Sequence, residues 1–490
     1  MDRRHQNRNG RSINRRRYTM YFAALLMIAA IGCSFATPTM AQDTGFDLHA
    51  AIAAAQPGST IYVPAGAYAG PVEIDKALVL EGEGLPVIQG AGDGDVVSIN
   101  ADDVTLRGFV VRGSGTSLDA EHAGITASGK RITLENNRVE DALFGIYLHN
   151  APDSVVRGNE VIGKALDISR RGDGLKVWYS ANSLIENNHV HDSRDSVIWF
   201  SPGTTVRGNL MERNRYGLHF MSTDDHLIED NVLRHNSVGI YMMYGNNYRL
   251  VRNLLFDNRG PSGYGLGLKE INNGSFEGNR IVNNRVGVYT DMSPVNPTAE
   301  VEFTRNLLAY NDAAIVMLPG TRSNVYHENV FLDNNEQIMV AGEGDILQNT
   351  WAVNGRGNYW SDYAGFDANQ DGVGDLAYEQ RSLYENLMDK RPNLRLFQLS
   401  PAAGALDLAA KAFPIFQPQP KMADPSPLVV PPALPSVRGV PQPPTLENAL
   451  VALGMVSLAS ALLFAGTRSA FARRKRTPAS PVSLGNGSHL

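Results

Sequence analysis

Between Ile132 and Val340 short apolar stretches and polar turns alternate in one frame that recurs nine times. Each unit opens on an apolar–polar alternation ending in Asn, as in Ile132-Thr133-Leu134-Glu135-Asn136-Asn137. It then enters a second apolar stretch such as Gly145-Ile146-Tyr147-Leu148. The recurring residues are Asn137, Asn159, Asn188, Asn209, Asn231, Asn253, Asn279, Asn306 and Asn329, spaced by 22, 29, 21, 22, 22, 26, 27 and 23 residues. Most second stretches open alike, at Gly145-Ile146, Gly174-Leu175, Gly217-Leu218, Gly239-Ile240, Gly265-Leu266 and Gly287-Val288.

Self-similarity at this period marks a solenoid, because one unit cannot bury its apolar face and must stack on its neighbours. Two short period-2 strands per unit, joined by Asn/Gly turns with no helical spacing, predict an all-β parallel β-helix rather than a leucine-rich horseshoe. Coils stacked about 4.8 Å apart turn equivalent residues into ladders. The Asn series is then architecture, each inward amide bonding the coils above and below.

The flanks divide the chain further. Residues 1–41 read as a secretory signal: Arg3, Arg4, Arg11 and Arg15 to Arg17 precede the apolar run Tyr18 to Ile31, with cleavage after Ala41. Ala30-Ile31-Gly32-Cys33 and Arg15-Arg16-Arg17-Tyr18 are loose lipoprotein and twin-arginine matches. Residues 42–131 hold an N-terminal cap, with a short helix over Asp47 to Gln56, and the first coils; residues 132–345 hold the main repeats. Residues 346–413 form a C-terminal cap with helical spacing in Ser382 to Phe397 and Pro401 to Phe413. Residues 414–446 are so rich in proline that an extended spacer is expected. Residues 447–467 read as a transmembrane helix, with no charge from Ala449 to Gly466, and residues 468–490 as a basic cytoplasmic tail. The β-helix is thereby placed in the periplasm, tethered to the inner membrane.

A net charge of −6 gives no nucleic-acid footprint. The one cysteine, Cys33, lies in the signal, so a soft-metal site in the mature chain must use His and Met. Period 2 sends neighbours to opposite faces. With Ile146 and Leu148 inward, Tyr147 and His149 point outward, and the same register exposes Lys176 and Trp178, His219 and Met221, Tyr241 and Met243, Lys269, Tyr289 and Asp291. His219, Met221 and Met243 then fall on two adjacent rungs, and imidazole with thioether suits Cu(I). The competing reading is a face that packs under loops or a partner protein, carried by Tyr147, His149, Trp178, Tyr241 and Tyr289. His189, His191, His226, His235 and His327 are expected in turns, solvent-facing or structural.

Asp367, Asn369, Asp371 and Asp375 occupy positions 1, 3, 5 and 9 of an EF-hand-like loop with Gly372 at 6, which points to structural calcium. Position 12 is Tyr378 where a bidentate Glu belongs. Many β-helices are polysaccharide lyases, hydrolases or epimerases, and Asp224-Asp225-His226, Asp192 with Asp195, or Arg170-Arg171 with Asp173 could serve such chemistry. Each lies where turns favour Asp anyway, so the preferred reading is non-catalytic.

Gly357-Asn358-Tyr359-Trp360-Ser361-Asp362-Tyr363, continuing through Asp367 to Asp375, Arg381-Ser382-Leu383, Leu399-Ser400-Pro401 and Phe413-Pro414, resembles the NosD family. With the coils, the resemblance covers about residues 45 to 425. It implies a right-handed, pectin-lyase-like β-helix without catalytic activity, serving the maturation of nitrous oxide reductase in denitrification. The implied partners are an ABC transporter permease and its ATPase, a copper-chaperone lipoprotein and the reductase, whose copper-sulfide centre they help assemble. Copper would be handled transiently.

Overall fold

The computed structural model describes residues 45–398, 400–413 and 419–439. Successive coils stack in parallel register as a β-helix. Each coil carries three strands where two were expected. One coil runs through Leu184–Glu186, His189–His191 and Asp195–Trp199, and the next through Thr205–Arg207, Leu210–Glu212 and Tyr216–Met221. First and third strands enter a 22-stranded sheet and second strands a 13-stranded one, counted among the described residues. Three residues hold a single alternation, which is why the second strand escapes a periodicity reading.

Inward positions of all three strands merge into one apolar core, including Val190, Met211, Leu233, Leu255, Ile281 and Phe331 from the second strands. The glycine that opens most third strands answers to close coil approach. A Cβ on Gly217 would lie 2.6 Å from the Gly239 carbonyl oxygen.

The Asn ladder forms as expected. Asn231 Oδ1 accepts both the backbone and the side-chain amide of Asn209 at 2.9 Å, while its own Nδ2 donates to the Val206 carbonyl and to Asn253 Oδ1. The residue preceding each ladder Asn has positive φ, from Asn136 and Gly158 through Asp230 to Glu328, and this turns the backbone so that the amide points inward. A second ladder went unrecognised. Asn214, Asn236, Asn258, Asn284, Asn311 and Asn334 stand five residues after members of the first and bond in the same way, for example Asn236 N to Asn258 Oδ1 at 3.0 Å.

The predicted N-terminal helix is shorter, Leu48–Ala54, with Asp47 accepting the Ala50 amide at 3.0 Å, and its buried Leu48 and Ile52 join the core. The helical stretch predicted over Ser382 to Phe397 splits into an α-helix, Leu383–Lys390, and a 3-10 helix, Pro392–Phe397. Pro392 has no amide to continue the α-helix and disfavours helical backbone at Arg391. Pro401–Ala412 is helical as expected.

The spacer reading is corrected. Residues 419–438 lie against the solenoid, with Met422, Asp424, Leu428 and Val437 buried. Ala423–Asp424 pairs antiparallel with Tyr378–Glu379. The Asp424 carboxylate terminates the first Asn ladder, accepting the Asn358 backbone amide at 2.7 Å and Trp360 Nε1 at 3.0 Å. Further on, the Pro435 carbonyl accepts Arg280 at 3.0 Å and Arg438 reaches the Gly208 carbonyl. Proline removes donors but not apolar surface, so a proline-rich strand can still pack where side-chain donors come to its carbonyls. The predicted signal, the 447–467 span and the basic tail lie outside the described residues. No described helix is long and apolar enough to cross a membrane.

Candidate functional site

The third strands carry the predicted outward ladder in the predicted register, with one addition. Along one column Tyr147 pairs with Lys176, Lys176 with Val197, Val197 with His219 and His219 with Tyr241; along the other the order is His149, Trp178, Trp199, Met221, Met243, Lys269 and Asp291. The rung of Val197 and Trp199 was missed because Asp195–Trp199 lacks the opening glycine. Met221 and Met243 do sit on adjacent rungs beside His219 and Tyr241.

His219 is buried, and its Nε2 stands 3.4 Å from Met243 Sδ. Three rings wall it: Trp199 edge-on at 5.4 Å, Tyr216 edge-on at 5.1 Å and Tyr241 nearly parallel at 6.2 Å between centroids. Its Nδ1 has no hydrogen-bond partner, and neither does Trp199 Nε1. Burial pushes the imidazole pKa down to about 4, so the ring is neutral and offers a lone pair at periplasmic pH. A nitrogen and a sulfur 3.4 Å apart can share one d10 ion, whose arms to nitrogen and thiolate sulfur run about 2.0 and 2.3 Å. The donor set therefore fits a soft monovalent metal.

The rest of the ladder is less open than predicted. Lys176 is buried, ion-paired with Glu121 and seated 4.5 Å from the Tyr147 ring centroid and 4.7 Å from that of Trp178. Leu118 and Leu166, in insertions on either side, pack with Phe144 and Tyr147. Tyr147, His149, Trp178, Tyr241 and Tyr289 are half-buried. Trp178 packs on Trp199 at 5.3 Å, and Tyr289 stacks on Tyr264 at 4.6 Å.

Four of the five histidines expected in turns stand on strands: His189 and His191 on His189–His191, His226 on His226–Glu229 and His327 on Asn324–His327. His226 is a structural residue, buried between the Thr204 carbonyl at 3.1 Å and Thr223 Oγ1 at 3.0 Å, with its pKa lowered by burial to about 4. The acids proposed for sugar chemistry are committed to structure. Asp224 accepts the Asn246 amide at 2.7 Å, Asp225 the Asn247 side chain at 2.8 Å, Asp195 pairs with Arg215, and Asp173 with Arg194 at 3.0 Å. Burial lifts Asp173 to about 6.

Asp367, Asn369, Asp371 and Asp375 do converge in one turn, closed by its own amides. Asp367 accepts from Gln370 and Gly372, Asp371 from Val373 and Asp375 from Ala368. Tyr378, at position 12, is buried and bonds Asp362.

Over 386 residues the chain is 30% identical to the probable ABC transporter binding protein NosD of Stutzerimonas stutzeri, covering 75% of this chain and 86% of that protein. The chain belongs to the NosD family. The NosD of Pseudomonas aeruginosa, with the same description, is 30% identical over 384 residues and matched over 88% of its length. The NosD family model, described as periplasmic copper-binding protein, matches residues 157–365, which contain the whole His219 cluster. A model for the right-handed β-helix region matches residues 87–221 and gives the coil its hand. This is thus a periplasmic protein built on a right-handed β-helix. Among solved structures, the Azotobacter vinelandii mannuronan C-5 epimerase AlgE4 A-module has TM-score 0.41 and 16% identity over 64% of this chain and 93% of its own. The alginate lyase AlyF-OU02 has 0.47 and 14%, over 64% and 84%.

Proposed function

We propose that this NosD-family protein is a non-catalytic accessory factor for nitrous oxide reductase maturation, helping to assemble its copper-sulfide centre. It works with an ABC transporter permease and ATPase and a copper-chaperone lipoprotein, and holds Cu(I) transiently between His219, Met221 and Met243. The observation that carries the copper step is a neutral, buried imidazole 3.4 Å from a thioether inside an aromatic wall. Two soft donors and few anionic groups bind a monovalent ion without the thiolates that would retain it, which suits transfer. In this reading residues 447–467 tether the factor near its permease, and the helix Leu48–Ala54 and residues 346–413 close the two ends of the core. A calcium ion on Asp367, Asn369, Asp371 and Asp375 is the matching proposal for the loop, with a chelator-sensitive melting temperature as its sign.

The test is a strain in which this chain is deleted. It should make reductase lacking the copper-sulfide centre while keeping its other copper, restored by the wild-type chain; a complete centre in the deletion strain refutes the proposal. The alternative is a polysaccharide-active enzyme, and against it the acids the sequence offered for sugar chemistry, Asp173, Asp192, Asp195, Asp224 and Asp225, are each engaged by a structural partner. Uronate-polymer cleavage by the purified chain would establish it.

A further inference from the structure

On the second sheet, away from the His219 cluster, the strand His189–His191 sends both imidazoles to the same outer face, since residues two apart share a side. Their ring centroids are 4.3 Å apart. Glu160, directly paired with His189 on the preceding coil, completes a group in which one ring nitrogen of each histidine and one carboxylate oxygen all lie within 4.8 Å of one another.

Each member is oriented from outside the group. His191 Nδ1 stands 2.6 Å from Asp192 Oδ2 and 3.0 Å from Arg213 Nη2, and its Nε2 faces Glu160 Oε1 at 3.8 Å. Asp192 is itself gripped by Arg213 at 2.9 Å. Glu212 lies 3.1 Å from His189 Nε2 and is held in turn by Arg234 at 2.7 Å. Arg138 takes Glu160 Oε2, which leaves Oε1 for the group. Two imidazoles and one carboxylate, each imidazole backed by a second carboxylate, form the donor set of a three-ligand site with an open fourth position.

We infer that Glu160, His189 and His191 bind a divalent cation of the Zn²⁺ and Cu²⁺ class. The site is separate from the thioether cluster in ligand type and in sheet: it lacks sulfur and offers imidazole nitrogen and carboxylate oxygen, so it selects a harder, divalent ion. A factor with both sites holds monovalent and divalent metal on different faces.

The experiment is titration of the purified, tag-free full chain with Zn²⁺ against a chromophoric competitor, repeated with Co²⁺ to read the visible d–d bands of a nitrogen–oxygen site. One Zn²⁺ should bind, and H189A/H191A should remove it. D192N, which keeps all three ligands, should weaken it about tenfold or more. The triple variant H219A/M221A/M243A should bind Zn²⁺ as wild type does, so failure here is distinguishable from failure of the Cu(I) proposal. Absence of Zn²⁺ binding by the wild-type chain, or binding unchanged in H189A/H191A, overturns the inference. If the double variant does not fold, the Co²⁺ spectrum of the wild type and the D192N affinity decide.

Discussion

His219 and His226 are two buried imidazoles with different fates. His226 has a partner on each nitrogen and serves the coil, whereas His219 keeps Nδ1 bare and faces a thioether. Both have folded pKa values near 4, against about 6.5 when unfolded. A depressed pKa stabilises the fold above the unfolded value, and that stability is lost as pH falls from 6.5 towards 4, at most roughly 3 kcal/mol per residue. Urea unfolding of the chain should show this acid-side loss, and H226Q should lose less between pH 6.5 and 4 than wild type. Glu385, lifted to about 7 mainly by burial, works in the opposite sense, so the comparison with the variant, not the bare profile, carries the test. The sequence placed His219, Met221 and Met243 on adjacent rungs because period 2 is reliable within a strand. It could not show the bare Nδ1 or the wall of Trp199 and Tyr216, which depend on a rung without the glycine signature and on packing across coils.

At the scale of elements, the Asn ladders determine how coils stack. Replacing Asn231 with Ala strands the buried Asn209 backbone amide, removes one acceptor of the Asn209 side chain, and takes a donor from the Val206 carbonyl and from Asn253 Oδ1. A buried polar group without a partner costs about 1–3 kcal/mol. N231A should therefore lose several kcal/mol in denaturant unfolding, and the exposed Asn100 changed to Ala under about 1; equal effects would contradict the architectural role. The first ladder was readable from its spacing alone. The second was equally visible as an Asn five residues later, and was missed because the strand between the two ladders is only three residues long.

Over the whole solenoid, the segment 419–438 ties the helices after the last coil to the coils. Lys421 is buried against Glu336 at 3.1 Å and Asp389 at 2.7 Å, with Arg395 beside Glu336 at 3.3 Å. Removing one partner of such a group leaves charge uncompensated and costs about 3–5 kcal/mol. K421A should lower stability by that order and expose the segment to trypsin at Arg438; unchanged cleavage would mean the segment is held without the cluster. Proline content misled here because it speaks of backbone donors, while docking depended on Met422, Asp424 and Leu428 and on donors from the solenoid. The measurement that bears most directly on copper handling is anaerobic Cu(I) titration of the full chain against a competing chelator, beside H219A/M221A/M243A. One tightly bound Cu(I), lost in the triple variant, is the predicted result. No Cu(I) binding by wild type, or binding that survives the triple substitution, would contradict the site.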